Sequence, residues 1–338
     1  MTRNEAVIYK EVPTGFPIPG QTMKKEVHEI DLDAPIPEGT VLLKSLAFSL
    51  DPYMRGLMRS PEIKSYSPAY EVGQPIVGHG TARVIKSNGT AYNEGQILVG
   101  LFPWKEYNVL PESLFQSMRV RTIDETLNLP PSVHVGAAGM PGATAWGALE
   151  NIGKPKKGET IFISGAAGAV GQIVGALAKS QGLTLIGSAG SDEKVEFLKK
   201  ELGFDHAYNY KKVKPNDMLK DKPIDIYWDN VGGEHLEAAI GNMNNHGRII
   251  LCGMISCYNG QESYHVKNLL QLVAKRILMQ GFIIFDMDVS EFYKTIPPKL
   301  ASGEIKYKEE VYKGLDDGES FLALLEGKNF GKAVIVLE

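Results

Sequence analysis

IFISGAAGAVGQ, residues 161–172, decides the fold. Ile161 to Ser164 read as a strand, and glycines at 165, 168 and 171 punctuate the turn after it. Val170, Ile173, Val174, Leu177 and Ala178 then fall on one face at helical spacing, which predicts a helix over about residues 169–181. A turn of this kind suits a pyrophosphate: it is tight, its backbone is bare, and it opens onto a helix N-terminus. The spacing is GxxGxxG in place of the commoner GxGxxG, with Ala166 where the second glycine would stand. A plain strand-to-helix turn can carry the same glycines. The added weight comes from the strand before, the amphipathic helix after, and the length of the βαβ unit.

Downstream the alternation continues. LTLIGS (183–188) reads as a second strand, and EKVEFLKKELG (193–203) as a second helix with Val195, Leu198 and Leu202 as its stripe. IDIYW (224–228), GRIILC (247–252) and QGFIIF (280–285) extend the series of strands, with HLEAAIGNMNNHG (235–247) as a helix among them. Such alternation implies right-handed crossovers and a doubly wound parallel sheet. Upstream the texture changes. Residues 1–125 hold 11 of the 19 prolines and show little helical periodicity, while GTVLLKSLAFSL (39–50) and HGTARVIKS (79–87) read as short strands between turns. GKAVIVLE, residues 331–338, reads as one more strand.

Composition bounds the function. At 338 residues, with 43% hydrophobic and 22% charged residues, the chain has room for two domains and a core of ordinary size. A net charge of -4 and the lack of a basic run argue against nucleic acid as a partner. No apolar stretch approaches the roughly 20 residues of a bilayer span, and MTRNEAVIYKEV lacks the apolar core of a secretory signal. A cytoplasmic protein without membrane partners is expected. The two cysteines, Cys252 and Cys257, cannot build a disulfide framework or a four-thiolate zinc site.

The residues just after the second strand bear on the choice of nucleotide. A free ribose hydroxyl is usually met by Asp or Glu at that strand end, about twenty positions past the glycines. Here the strand runs into GSAGSDEK, with Gly190 and Ser191 where a carboxylate would stand. Lys194 could meet a phosphate and Ser191 could donate to it, which favours NADP; Asp192 and Glu193 leave room for NAD, and Lys194 could equally be a solvated helix lysine.

Hydride transfer to a carbonyl or enone places negative charge on oxygen, and some group must stabilise it. Zinc would serve, but His79 in GHG (78–80) has no glutamate after it, and no cysteine precedes residue 252. Hydroxyl donors remain. Tyr258 lies just past the carboxyl end of a predicted strand, where ligands of doubly wound sheets bind, and Tyr53 lies in SLDPYMRG. For most of the 14 tyrosines packing is the default role.

SLDPYMRG, GMPGATAWGAL, AAGAVGQIVGALAK, GSAGSDEKVEFLK, NYK, DNVGG, the HGRIILCGMISCYN segment and GKNFGK occur in that order from residue 49 to residue 332. Together they resemble the zinc-independent medium-chain dehydrogenase/reductases that include leukotriene hydroxydehydrogenase/prostaglandin reductase and the plant alkenal double-bond reductases. The resemblance implies an α/β fold: a Rossmann doubly wound parallel sheet plus a GroES-like β-rich catalytic domain. Residues 1–125, completed by 301–338, would form the catalytic domain, and residues 126–300 the NADP-binding domain. It implies NADPH as cofactor, a small enal or enone as substrate, and a homodimer. Gly168, Ala169, Val170 and Gly171 would cradle the pyrophosphate, and Lys194 and Tyr210 would hold the 2′-phosphate with Gly190 and Ser191 nearby. Asn230, the segment from Cys252 and Gly253 to Tyr258, Phe282, Ile283 and Asn329 would line the rest of the cofactor. Tyr258 would contact the nicotinamide ribose and the substrate carbonyl, with Tyr53 across the pocket. Plant members carry tyrosine where this chain has His79.

The expected activity is therefore NADPH-dependent, metal-free reduction of the carbon–carbon double bond of α,β-unsaturated aldehydes and ketones. A carbonyl or quinone reductase on the same scaffold is the first alternative, and a non-catalytic NADPH-binding protein the second.

Overall fold

A computed structural model describes residues 1–260 and 264–337, and the chain divides into two units, Met1–Gly136 with Glu309–Glu338, and Ala137–Lys308. In the first, β1 (Thr2–Tyr9) and β2 (Met23–Ile30) form an antiparallel pair. β3 (Thr40–Ser49) is buried along nearly its whole length because strands pair with it on both sides. The short helix α1 (Tyr53–Leu57) comes next. β4 (Val77–Asn88), β5 (Ile97–Pro103), β6 (Tyr107–Pro111) and β7 (Arg121–Thr122) complete the N-terminal run. Leu43, Phe48, Met54, Leu98, Phe102 and Trp104 are buried together at its centre.

The second unit opens with α2 (Met140–Ala148) and then alternates: β8 (Thr160–Ile163), α3 (Ala169–Ser180), β9 (Thr184–Ala189), α4 (Asp192–Lys200), β10 (His206–Asn209), α5 (Pro215–Leu219), β11 (Ile224–Asp229), α6 (Gly233–Asn242), β12 (Met243–Leu251), α7 (Leu270–Lys275), β13 (Leu278–Gly281) and α8 (Ser290–Ala301). Its six strands are all parallel in the order β10-β9-β8-β11-β12-β13. Ile161, Phe162 and Ile163 of β8 and Ile226, Tyr227 and Trp228 of β11 have no exposed surface, as central strands covered on both faces require. The order reverses between β8 and β11, and a crevice at their carboxyl ends is where such sheets bind ligands. The chain then returns to the first unit as β14 (Glu309–Lys313), α9 (Glu319–Leu325) and β15 (Lys332–Val336), giving a sheet ordered β14-β15-β3-β4-β5-β7 with β6 also paired to β3. The doubly wound parallel sheet and the separate β-rich unit expected from the sequence are both present.

Details depart from expectation where tertiary pairing overrides local pattern. MNNHG does not continue α6; the helix ends at Asn242 and β12 begins at Met243, which pairs with Ile224 of β11. QGFIIF is not one strand, because β13 runs beside β12 and stops at Gly281, where β12 stops at Leu251, and Ile284–Asp286 form a 3-10 turn. The first unit extends to Gly136, past residue 125, because Val135 of the turn Pro131–Val135 packs with Val99 and Val334. The second unit extends to Lys308, past residue 300. Gln172 of α3 holds it there, accepting from the Lys308 amide at 2.7 Å and donating to its carbonyl at 3.3 Å.

Burial of polar groups has a consequence for acid stability. His79, His134 and His235 are buried, and desolvation lowers each from 6.5 to about 4. These rings are neutral in the folded chain at pH values where the unfolded chain takes up protons. Their stabilisation is complete above pH 6.5 and is lost as pH falls through the window down to about 4. Each ring contributes a slope of up to about 1.4 kcal/mol per pH unit. The urea midpoint should therefore drop steeply on acidification through this window, and His134→Gln should make the drop shallower. An undiminished drop in that variant would count against its neutral burial.

Candidate functional site

Strand β8 delivers the glycine turn to the point where the sheet order reverses. The Ala166 amide donates to the Ser188 carbonyl of β9 at 2.9 Å, and the Gly168 amide to the Gly165 carbonyl at 3.0 Å, which closes the turn. Helix α3 then starts so near the strand end that a Cβ on Gly171 would lie 2.7 Å from the Ala166 Cα and from two carbonyl oxygens. Only glycine fits there. Gly168 is the N-cap and brings no side-chain hydrogen bond to the helix, so Ala169, Val170 and Gly171 present first-turn amides without a side-chain cap. Bare amides at the positive end of a helix dipole fit a pyrophosphate.

Beside the turn, Asp229 at the end of β11 gathers several hydrogen bonds and has no exposed surface. Its Oδ1 accepts from the Tyr227 hydroxyl at 2.7 Å, the Val231 amide at 2.9 Å and the Gly232 amide at 2.7 Å. Its backbone carbonyl accepts from the Cys252 and Gly253 amides at 2.9 and 3.0 Å. Burial raises its carboxyl above the usual range, against the pull of these donors. Asn230 is fixed in the same knot: its Nδ2 donates to the Ser164 carbonyl at 2.7 Å, its amide donates to Ser164 Oγ at 3.0 Å, and its Oδ1 accepts from Trp228 Nε1 at 3.1 Å. Sequence reasoning picked out Asn230 and missed Asp229 and Ser164. The sole available signal was an Asp three residues before a glycine pair, which caps loops of many kinds.

Farther along the strand ends, Ser191 caps α4, its hydroxyl accepting from the Lys194 amide at 3.3 Å. The hydroxyl that was expected to donate to a phosphate thus also orders the helix start carrying Lys194. A Cβ on Gly190 would lie 3.2 Å from the Tyr210 hydroxyl, so the Tyr210 ring stands over that glycine. Asp192 is engaged by Asn209 Nδ2 at 2.8 Å and by Lys212, bonds that hold its carboxyl below the usual range. The acid that left room for NAD is therefore tied to neighbouring side chains.

On the other side of the knot the chain passes from β12 through Cys252 and Gly253 into a 3-10 turn, Ile255–Cys257, and then to Tyr258. The Met254 amide donates to the Tyr258 hydroxyl at 3.3 Å, and a Cβ on Gly253 would lie 3.0 Å from that hydroxyl. The phenol is half-buried and folded back over its own loop. Burial pushes the Cys252 thiol up to about 12, which makes it a packing residue. Phe282 sets its ring 6.2 Å from Trp228 at 71°, and Ile283 beside it is half-buried.

Tyr53, His79 and Asn329 belong to the first unit. Tyr53 opens α1, and its ring meets His79 edge-on at 6.4 Å. Burial first, and then Asp51, hold the Tyr53 phenol well above its ordinary range. The loop before α1 is pinned by Lys332 of β15, whose buried ammonium donates to the Leu50 carbonyl at 2.6 Å and to Asp51 at 3.0 Å. Asn329 donates to the Gly331 carbonyl at 2.7 Å. Among the described residues, no three His, Cys, Asp or Glu side chains come together to hold a metal ion.

The sequence matches a family model described as zinc-binding dehydrogenase over residues 169–298, and one described as N-terminal domain of oxidoreductase over residues 6–118. It is 45% identical over 346 residues to NADP-dependent oxidoreductase RED1 of Cochliobolus heterostrophus, covering 99% of this chain and 98% of that protein. It is 39% identical over 345 residues to the NADP(+)-dependent 2-alkenal reductase of Nicotiana tabacum, covering 99% and 97%. The crystal structure of CurA from Vibrio vulnificus in complex with NADPH aligns with a TM-score of 0.88 at 35% identity, covering 99% of both chains.

The tight seat of Gly171 yields a direct test. Gly171→Ala should cost about 1–3 kcal/mol of stability through overpacking and weaken dinucleotide binding at least about tenfold by displacing the helix start. Urea titration and fluorescence titration read the two effects; wild-type values in both would disprove the close seat.

Proposed function

Because the chain belongs to the zinc-independent medium-chain dehydrogenase/reductase family, we propose that it reduces the carbon–carbon double bond of α,β-unsaturated aldehydes and ketones. It is an NADP-dependent oxidoreductase. One feature carries the finer reading: a tyrosine hydroxyl, that of Tyr258, stands just beyond the carboxyl end of β12, oriented by a backbone amide of its own loop.

NADPH, when bound, supplies the hydride that the β-carbon of the substrate accepts. Gly168, Ala169, Val170 and Gly171 hold its pyrophosphate in our reading, with Lys194, Tyr210, Gly190 and Ser191 around the 2′-phosphate. Asn230, Cys252, Gly253, Phe282 and Ile283 line the remainder. As the double bond opens, its electron pair joins the α-carbon to the carbonyl carbon, the carbonyl pair moves onto oxygen, and the Tyr258 hydroxyl donates a hydrogen bond to that oxygen. The Met254 amide donating to the phenolic oxygen polarises the O–H bond and strengthens this donation. A proton delivered to the α-carbon from the Tyr258 hydroxyl network or from solvent water completes the reduction to the saturated carbonyl. Tyr53, in the first unit, is a reluctant proton donor, its phenol held well above its ordinary range by burial. His79, neutral through burial, sets the room around it.

The test is turnover of a medium-length 2-alkenal and of the matching saturated aldehyde, with NADPH and with NADH, products identified by mass spectrometry. Saturated aldehyde from the enal with NADPH, and little reaction of the control, is the expected result. Tyr258→Phe should lower kcat about 100-fold or more, the usual cost of removing an oxyanion donor. Alcohol from both substrates would make the protein a carbonyl reductase instead.

We further propose a homodimer built on the β13 edge of the second sheet, whose outer side has no neighbour among the described strands. Leu270, Val273 and Leu278 are 79%, 74% and 49% exposed there, an apolar stretch unusual for a free surface. Leu270→Glu should shift the mass measured by light scattering from dimer to monomer, and a monomeric wild type would refute the assembly. Free thiols accord with the cytoplasm as the proposed compartment, and no helix among the described residues is long and apolar enough to cross a membrane.

A further inference from the structure

Neither the glycine turn nor the tyrosine chemistry accounts for His235. It sits near the start of α6 and is 5% exposed. Its ring stacks on Phe162 of β8, with centroids 6.2 Å apart and planes 13° from parallel. Phe162 stacks in turn on Tyr227 of β11 at 5.1 Å and 15°. His235 also meets Tyr210 edge-on, at 5.6 Å and 79°. Its Nε2 has no hydrogen-bond partner among the described residues. The imidazole therefore packs as an aromatic plate, an expensive use of a polar side chain where phenylalanine would fit the stack.

Four rings thus form a ladder, Tyr227, Phe162, His235 and Tyr210. Its inner end is anchored by the Tyr227 hydroxyl on Asp229. Its outer end, Tyr210, is 41% exposed and stands over Gly190. A tyrosine that exposed would swing between rotamers unless a neighbour fixed its ring. His235 is the neighbour with the aromatic contact to do so.

We propose that His235 is a positioning residue for the phosphate-reading end of the nucleotide site: its ring fixes the tilt at which Tyr210 presents its hydroxyl to the 2′-phosphate. This rests on the assignment of Tyr210 and Lys194 to that phosphate, and goes beyond it by giving a buried side chain control over nucleotide choice.

The experiment is calorimetric titration of the full chain with 2′,5′-ADP and with 5′-AMP, ligands that differ in the 2′-phosphate and need no turnover. His235→Ala should lose about five-fold in affinity for 2′,5′-ADP, the size of one edge-to-face aromatic contact, and less than about two-fold for 5′-AMP. His235→Phe should stay within about two-fold of wild type for both, since ring shape is what matters. His235→Leu fills the volume without the ring and carries the same test should the alanine variant fail to fold. In a Tyr210→Ala background, His235→Leu should add no further loss. Equal losses for both ligands, no loss at all, or an additive loss in the double variant would overturn the positioning role. A wild type without preference for 2′,5′-ADP would overturn the phosphate assignment itself, and the role of His235 with it.

Discussion

Hydrogen bonds converging on Asp229 tie separated pieces of sequence to one point at the end of β11. Its side chain organises the turn through Val231 and Gly232, and its carbonyl receives the start of the loop that ends in Tyr258. Ser164, the residue before the glycine turn, is joined to the same knot through Asn230. Placing a carboxyl in a site without solvent is costly, as its raised pKa records. Buried donors that would otherwise be orphaned offset that cost, and losing the acceptor would strand all of them at once. Turn, amide and phenol therefore hold their places as a set.

How far the sequence foretold this depends on the range of the interactions. IFISGAAGAVGQ was legible because strand, turn and helix are local, and because burial on one face leaves a periodic trace in Ile173, Val174 and Leu177. GKAVIVLE was legible for the same reason, as a short apolar run. QGFIIF misled, since the length of β13 is set by β12 beside it and leaves no mark in its own residues. Ser164, Asp229 and His235 were opaque. Ser164 and His235 act through partners brought near by the sheet, 63 positions away in the case of the Tyr227–Ser164 hydrogen bond. Asp229 acts through neighbours that only the turn aims at it, and a lone polar residue has no periodicity to betray it. The glycine at 171 lies between these cases: its spacing is visible, but the contact that forbids a side chain there is not.

The first unit is organised by another buried polar contact of long range. Lys332 reaches from β15 to Asp51 and the Leu50 carbonyl, and so fixes the entry to α1, on which Tyr53 and the edge-on His79 depend. Such a pair stabilises weakly beyond what an apolar substitute would give, but breaking it leaves a stranded charge. Its contribution is to register. A lysine at one place in β15 and an aspartate at one place after β3 accept each other in a single alignment of the two strands.

That alignment has a consequence during synthesis. β3 is made early, while the lysine that meets Asp51 lies 281 positions later, about 15 to 55 s at ordinary rates of translation. Throughout that interval the second unit can close its own parallel sheet, whereas in the first unit β6 covers Thr40 to Lys44 of β3 but Ala47 to Ser49 wait for β15, beside an aspartate without its cation. The nascent chain is therefore most exposed to wrong partners in the half that was made first, and its ribosome-bound intermediates should hold a finished nucleotide-binding unit beside an open, chaperone-accessible β-sheet.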